Sequence, residues 1–246
     1  MMFYFKRNKT MKSVNNEPEE NVNGNLPVKI ALRVFLVFIF LGLVLFLTAG
    51  SLRYTEVWIY LSVLMVAAIF IITYFYKKDP DFIKSRLLRR REKEQMHRSI
   101  QNIFSVVFFI GLLIPGFDFR YNWSNVPMTA VIISDAFVLL GYMLVSRVME
   151  ENRYASAIIE ITEEQRIIET GPYRIVRHPM YTGGFIFILF TPIALGSYWA
   201  LIPLSICTFP ALILRITGEE KMLAASFPGY AEYCKKTKYR LIPYIW

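Results

Sequence analysis

Polar and apolar positions along this chain separate into long blocks. Six apolar stretches run from Ile30 to Gly50, Glu56 to Tyr76, Ile100 to Gly116, Pro127 to Met149, Tyr181 to Gly196 and Tyr198 to Thr217. A hydrocarbon core takes about 20 helical residues to cross, so this pattern predicts an all-α integral membrane protein with about six transmembrane helices. The third and fifth stretches are short, which predicts tilt, a break or packing against partners. "AGSLRYTE" closes the first two into a hairpin. A very short connection at Gly196-Ser197 closes the last two into another, with Pro192, Pro203 and Pro210 inside it. In a membrane such prolines free carbonyls that neighbouring helices or waters satisfy.

The polar blocks divide the chain further. Residues 1–29 lack the apolar core of a cleavable signal and read as a disordered cytoplasmic arm. Residues 30–149 hold four spans and a basic loop, 77–99, whose Leu and Ile positions give it an amphipathic face suited to the headgroup region. Residues 150–246 hold a long loop, the helical hairpin 181–217 and a polar tail. In the loop, Ile158 to Ile161 and Arg166 to Glu169 alternate as short extended pieces do, and Gly171-Pro172 forces a turn before the next helix.

Charge adds orientation. The net charge is +9, and the cations gather in the N-terminal arm, the 77–99 loop, the segment from Arg147 to Arg177 and the tail; the opposite connections carry only Arg53 and Arg120. Lys and Arg in short loops are retained on the cytoplasmic side, so both termini and the C-terminal region are expected there. The short apolar core with its long polar arm is read as that of a multi-pass protein of a prokaryotic cell membrane. The basic balance then reflects topology first and attraction to anionic headgroups second, and no nucleic-acid partner is expected. A mean hydropathy of +0.38 fits the membrane class. Cys207 falls in a span and Cys234 in the tail, which predicts no disulfide.

Absent motifs narrow the chemistry. The chain has no G-x-G-x-x-G, no Walker A and no G-x-S-x-G elbow, which argues against a Rossmann nucleotide site, an ATP-driven pump and a serine lipase. His97 and His178 stand without the spacing of a zinc or iron site. Asp135 alone interrupts the apolar interior of the spans, so an ion or proton pathway has little to run on.

Two clusters carry chemistry. In Arg177-His178-Pro179-Met180-Tyr181, Pro179 starts a helix whose first amides can receive an anion, and Gly183 and Gly184 allow close approach of a ligand or a helix. The same residues also suit an interfacial anchor, with Arg snorkelling and Tyr in the aromatic belt. Arg215 and Glu219 stand four apart on one helical face, with Glu220 beside them. There an Arg can grip a carboxylate and a Glu can accept from hydroxyls or an amine, or the two can form a plain i,i+4 salt bridge. The hairpin returns both clusters to one membrane edge.

Across this region "QRIIETGPYRIVRHPMYTGG" and "GEEKMLAASFPGYAEYCKKTKYRLIPYIW" resemble the two signatures of the isoprenylcysteine carboxyl methyltransferase family, from about Glu151 to the C-terminus. The resemblance implies S-adenosyl-L-methionine as co-substrate, touching Gln165, Arg166, Ile167, Ile168, Tyr173, His178, Pro179, Met180, Tyr181 and Glu219. It implies Arg215 as the residue that orients the acceptor's carboxylate, and a lipid-tailed small molecule or prenylated acceptor entering from the bilayer. Lipid N-methyltransferases resemble the same half of the chain, and a non-catalytic lipid- or partner-binding protein is the alternative of another class.

Overall fold

The computed structural model describes residues 3–4, 26–80, 83, 95–152 and 166–246. Among these residues the α-helices are, in chain order, α1 Leu26–Ala49, α2 Thr55–Lys78, α3 Gln95–Tyr121, α4 Met128–Glu151, α5 Pro179–Ala194, α6 Leu201–Ser226 and α7 Tyr230–Lys236. Two short strands, β1 Phe3–Tyr4 and β2 Arg166–Ile167, pair antiparallel, with Phe3 opposite Ile167 and Tyr4 opposite Arg166. The extended piece expected from Arg166 is therefore present, and its partner strand comes from the segment read as a disordered arm. The rest of that arm lies outside the described residues. So do the amphipathic segment between Lys84 and Lys93, the piece Ile158 to Ile161, and Gln165.

Four helices, α1, α2, α4 and α6, are long and apolar enough to cross a membrane among the described residues. The third and fifth apolar stretches lie in α3 and α5. Sixteen-residue α5 is about 24 Å long, less than a hydrocarbon core of about 30 Å. The helix ends that hydrogen bonds and ion pairs locate fall at two polar ends of the bundle. One end holds the turn Gly50–Tyr54, the loop after α3 and the α5–α6 connection; Tyr54 Oη donates to the carbonyls of Pro115 and Leu195 there. The other holds the C-termini of α2 and α4, where Lys78 Nζ donates to Glu150. The loop before α5 and the C-terminal tail lie at that second end.

Small residues and turn geometry set the packing. α4 and α5 cross at Gly141 and Gly183, where a Cβ on Gly183 would stand 2.7 Å from Val145 Cγ2 and 2.8 Å from the Gly141 carbonyl oxygen. α1 and α3 meet at Gly116, whose Cβ would overlap Thr48 Oγ1. α5 ends in a Schellman turn at Gly196, with φ +68°: Ser197 N donates to Pro192 O at 2.9 Å and Gly196 N to Ile193 O at 2.9 Å. That turn makes the antiparallel hairpin expected of α5 and α6. α6 continues past Thr217 to Ser226, so Arg215, Glu219 and Glu220 share one helix. α1 exposes Leu32, Phe35, Leu36 and Phe40 to its surroundings, as an outer helix facing lipid does.

Candidate functional site

The site is built at the end of the bundle where the loop before α5 meets the tail. Gly171 has φ +56°, and a Cβ there would stand 2.9 Å from Glu151 Oε2, so the turn at the C-terminus of α4 suits glycine on both counts. The 3-10 turn Gly171–Arg174 then tucks Tyr173 wholly inside. Its hydroxyl accepts from Asn152 Nδ2 at 3.3 Å, and its carbonyl accepts from Tyr233 Oη at 2.7 Å and Thr237 Oγ1 at 3.2 Å. Burial pushes the Tyr173 and Tyr233 phenols well above their usual range, so both stay neutral hydrogen-bonding groups. Next, Arg177 N donates to Tyr239 O and His178 N to Arg240 O, each at 2.9 Å, which straps the tail along the entry to α5.

His178 caps α5 and Pro179 takes its first position, where a missing N–H costs nothing. His178, Glu219 and Glu220 are 2%, 4% and 8% exposed, so charged and polar groups here are held out of water. Tyr181 Oη donates to Glu219 Oε2 at 2.8 Å and accepts from Arg215 Nε at 2.7 Å. The guanidinium also lies over the Tyr181 ring, 5.8 Å from its centre. The i,i+4 salt bridge is thus replaced by a relay through a hydroxyl from the neighbouring helix, and Arg215 forms no ion pair with any described residue.

Glu220 belongs to a second group. Its Oε2 accepts from Arg240 Nε at 2.7 Å, and its Oε1 lies 3.3 Å from Arg177 Nη1 and 3.4 Å from His178 Nε2. Arg177 Nη1 also donates to Cys234 Sγ at 2.9 Å. His178 Nδ1 and Arg177 Nε are buried without a hydrogen-bond partner. In an enclosed polar site such atoms mark where a ligand's groups or a water are expected.

The residues named from the sequence fall into two sets. His178, Tyr181, Arg215 and Glu219 converge in one polar cluster. Ile167, Ile168, Tyr173 and Met180 pack instead with Val148, Leu223, Tyr230 and Tyr233 in an apolar wall beside it. Pro179 shapes the helix start, and the Arg166 main chain pairs with Tyr4. Sequence reading gave Glu220 no role of its own, gave Arg177 only that of an interfacial anchor, and passed over Arg240. A Glu-Glu pair is a weak signal for two separate roles, and nothing in spacing brings Arg240 to Glu220. Among the described residues no group of three or more His, Cys, Asp or Glu side chains is placed to hold a metal ion.

Comparison with known proteins puts this geometry in a class. Residues 129–229, from α4 to the residue before α7, match the phospholipid methyltransferase family, a stretch that holds His178, Tyr181, Arg215, Glu219 and Glu220. The resemblance to the isoprenylcysteine carboxyl methyltransferases holds as well. Over 129 residues the chain is 30% identical to the protein-S-isoprenylcysteine O-methyltransferase of Schizosaccharomyces pombe, covering 51% of this chain and 53% of that one. It is 27% identical over 109 residues to the nickel-cobalt-cadmium resistance protein NccN of Alcaligenes xylosoxydans xylosoxydans and to the cobalt-zinc-cadmium resistance protein CzcN of Cupriavidus metallidurans, covering 43% of this chain and 49% of each relative. The chain spans about half the length of the curated relatives it matches.

Proposed function

We propose that this integral membrane protein methylates a lipid-embedded acceptor with S-adenosylmethionine, and that the acceptor group is the carboxylate of an isoprenylated cysteine or a similar lipid-tailed thioether compound. The observation that carries the reading is the Arg215–Tyr181–Glu219 relay, which leaves a guanidinium without a carboxylate partner among the described residues, beside a buried carboxylate. The likeness to the S. pombe enzyme supports the choice of acceptor.

The residues present fit such a co-substrate. Glu219 and the unpartnered His178 Nδ1 are acceptors for its N–H and O–H groups, and Ile167, Ile168, Tyr173 and Met180 supply an apolar wall. S-adenosylmethionine brings an activated methyl group, and a carboxylate is already a nucleophile at neutral pH. This chain therefore need not remove a proton. Its work is to align, to desolvate the acceptor in part and to exclude water. Arg215 holds the acceptor's carboxylate, and Tyr181 fixes the guanidinium that does so. We place the site on the cytoplasmic side, since Lys77, Lys78 and Arg147 share its end of the bundle while Arg53 and Arg120 stand at the other.

The family match favours one other acceptor, the amine of a phospholipid. Arg215 is an unfavourable neighbour for a cationic amine, which makes the carboxylate the better fit. Purified protein given S-adenosylmethionine and either a prenylated cysteine analogue or phosphatidylethanolamine vesicles decides between them. Methyl-ester formation is expected with the first, and Arg215→Ala should lower its turnover about a hundredfold while leaving S-adenosylhomocysteine binding in place. N-methylation of the vesicles, or full turnover without Arg215, would move the acceptor assignment to the amine lipid.

A further inference from the structure

Glu220, buried beside Glu219 on α6, is committed to groups of the chain itself. A carboxylate has roughly four lone-pair sites. Glu220 has given two of them to the chain itself, Oε1 to His178 Nε2 and Oε2 to Arg240 Nε, and its Oε1 also forms an ion pair with Arg177 Nη1 at 3.3 Å. Arg240 is in turn immobilised, its guanidinium 5.5 Å from the centre of the Trp246 ring and its main-chain oxygen accepting from His178 N at 2.9 Å. One tail residue therefore grips both the main chain of His178 and the carboxylate that holds the His178 ring.

We infer that Glu220 is a positioning residue that orients His178 and does not itself meet the ligand, and that Arg240 holds it for this task. Two guanidiniums keep Glu220 ionised, and an ionised carboxylate only accepts. His178 Nε2 must then carry the proton it donates to Oε1. In the neutral ring this leaves Nδ1 as a bare acceptor, and Nδ1 is the buried ring nitrogen without a partner. His178 also stacks on Tyr181, 5.7 Å between ring centres, whose hydroxyl contacts Glu219. The acceptor so aimed stands beside a second acceptor, a pair suited to an ammonium or hydroxyl donor of the ligand. This last step rests on the methyltransferase reading; the tautomer assignment does not.

Protein labelled with 15N-histidine tests both parts, because the chain has two histidines and a His97→Gln variant assigns their signals. Wild type is expected to show His178 protonated at Nε2 and bare at Nδ1, with the Nδ1 signal moving when S-adenosylhomocysteine is added. Glu220→Ala should lose that single-tautomer pattern and weaken S-adenosylhomocysteine binding about ten- to a hundredfold, the worth of a hydrogen bond to a charged group. Glu220→Gln keeps an accepting oxygen and should keep the pattern. Arg240→Ala should blur it in a variant with α6 itself unaltered. A proton on Nδ1 in wild type, or an unchanged pattern in Glu220→Ala and Arg240→Ala, overturns the assignment. The expected pattern with no S-adenosylhomocysteine binding at all upholds the positioning role and overturns the ligand contact together with the proposed function.

Discussion

Asp118, at the end of the bundle away from the site, and Glu219, in the site, are both almost wholly buried. Asp118, near the end of α3, closes a knot across two connections, the α3–α4 loop and the α5–α6 turn. Its oxygens accept from Ser124 N at 2.6 Å, Ser124 Oγ at 2.7 Å and Ser197 Oγ, and the two serines accept in turn from Tyr198 N and Ala200 N, each at 3.1 Å. Glu219 meets a tyrosine that it shares with an arginine, next to a histidine with one nitrogen unmatched. Four residues, among those described, bury a side-chain polar atom without a partner. Arg177, His178 and Tyr230 lie at the site end, and Asp135 lies in α4. A carboxylate whose polar neighbours are all matched holds connections together. The unmatched His178 Nδ1 and Arg177 Nε beside the other are placed to meet a ligand.

Substitutions at the two ends should separate these roles. The largest effect is expected from Glu219→Ala, which should weaken S-adenosylhomocysteine binding a hundredfold or more, by about 3 kcal/mol, read by calorimetric titration in detergent, with a smaller loss of thermal stability than of affinity. Asp118→Ala should do the reverse, leaving three donors without an acceptor and lowering stability by about 2–3 kcal/mol while S-adenosylhomocysteine affinity stays as it was. If each variant moved both quantities alike, the distinction between a closed and an open cluster would fail. Gly183→Ala comes next. Its Cβ would meet Val145 and the Gly141 carbonyl, forcing α4 and α5 apart at a cost of about 1–3 kcal/mol, visible as a lowered unfolding temperature. Lys236→Ala should be smallest. Its bridge to Glu169 at 2.8 Å joins two exposed side chains, and no shift in unfolding temperature is expected.

Much of the scaffold was legible because membrane helices announce themselves locally. The block pattern located all six long helices, the short fifth stretch became the 16-residue α5, and Gly196-Ser197 became its terminating turn. The site was legible in part. Four-residue spacing put Arg215 and Glu219 on one face, and Pro179 set the start of α5. Spacing could not show that a hydroxyl 34 residues from Arg215 and 38 from Glu219 would stand between them. Nor could it show that Tyr173, a polar-tipped residue in a turn, would become a wholly buried post carrying Tyr233 and Thr237.

Sequence alone determined the membrane class, the helical hairpin and the face of α6 that carries Arg215, because hydrophobic blocks, proline, glycine and helical period act over a few residues. Tertiary structure decided which carboxylate each cation would meet. Glu220 takes Arg177 and Arg240 from 43 residues before it and 20 after it, while Arg215, one turn away from Glu219, takes a tyrosine instead. Buried ionic groups pair with whatever partner the packed helices and the strapped tail bring within about 3 Å, and that juxtaposition is written in no single stretch of the chain.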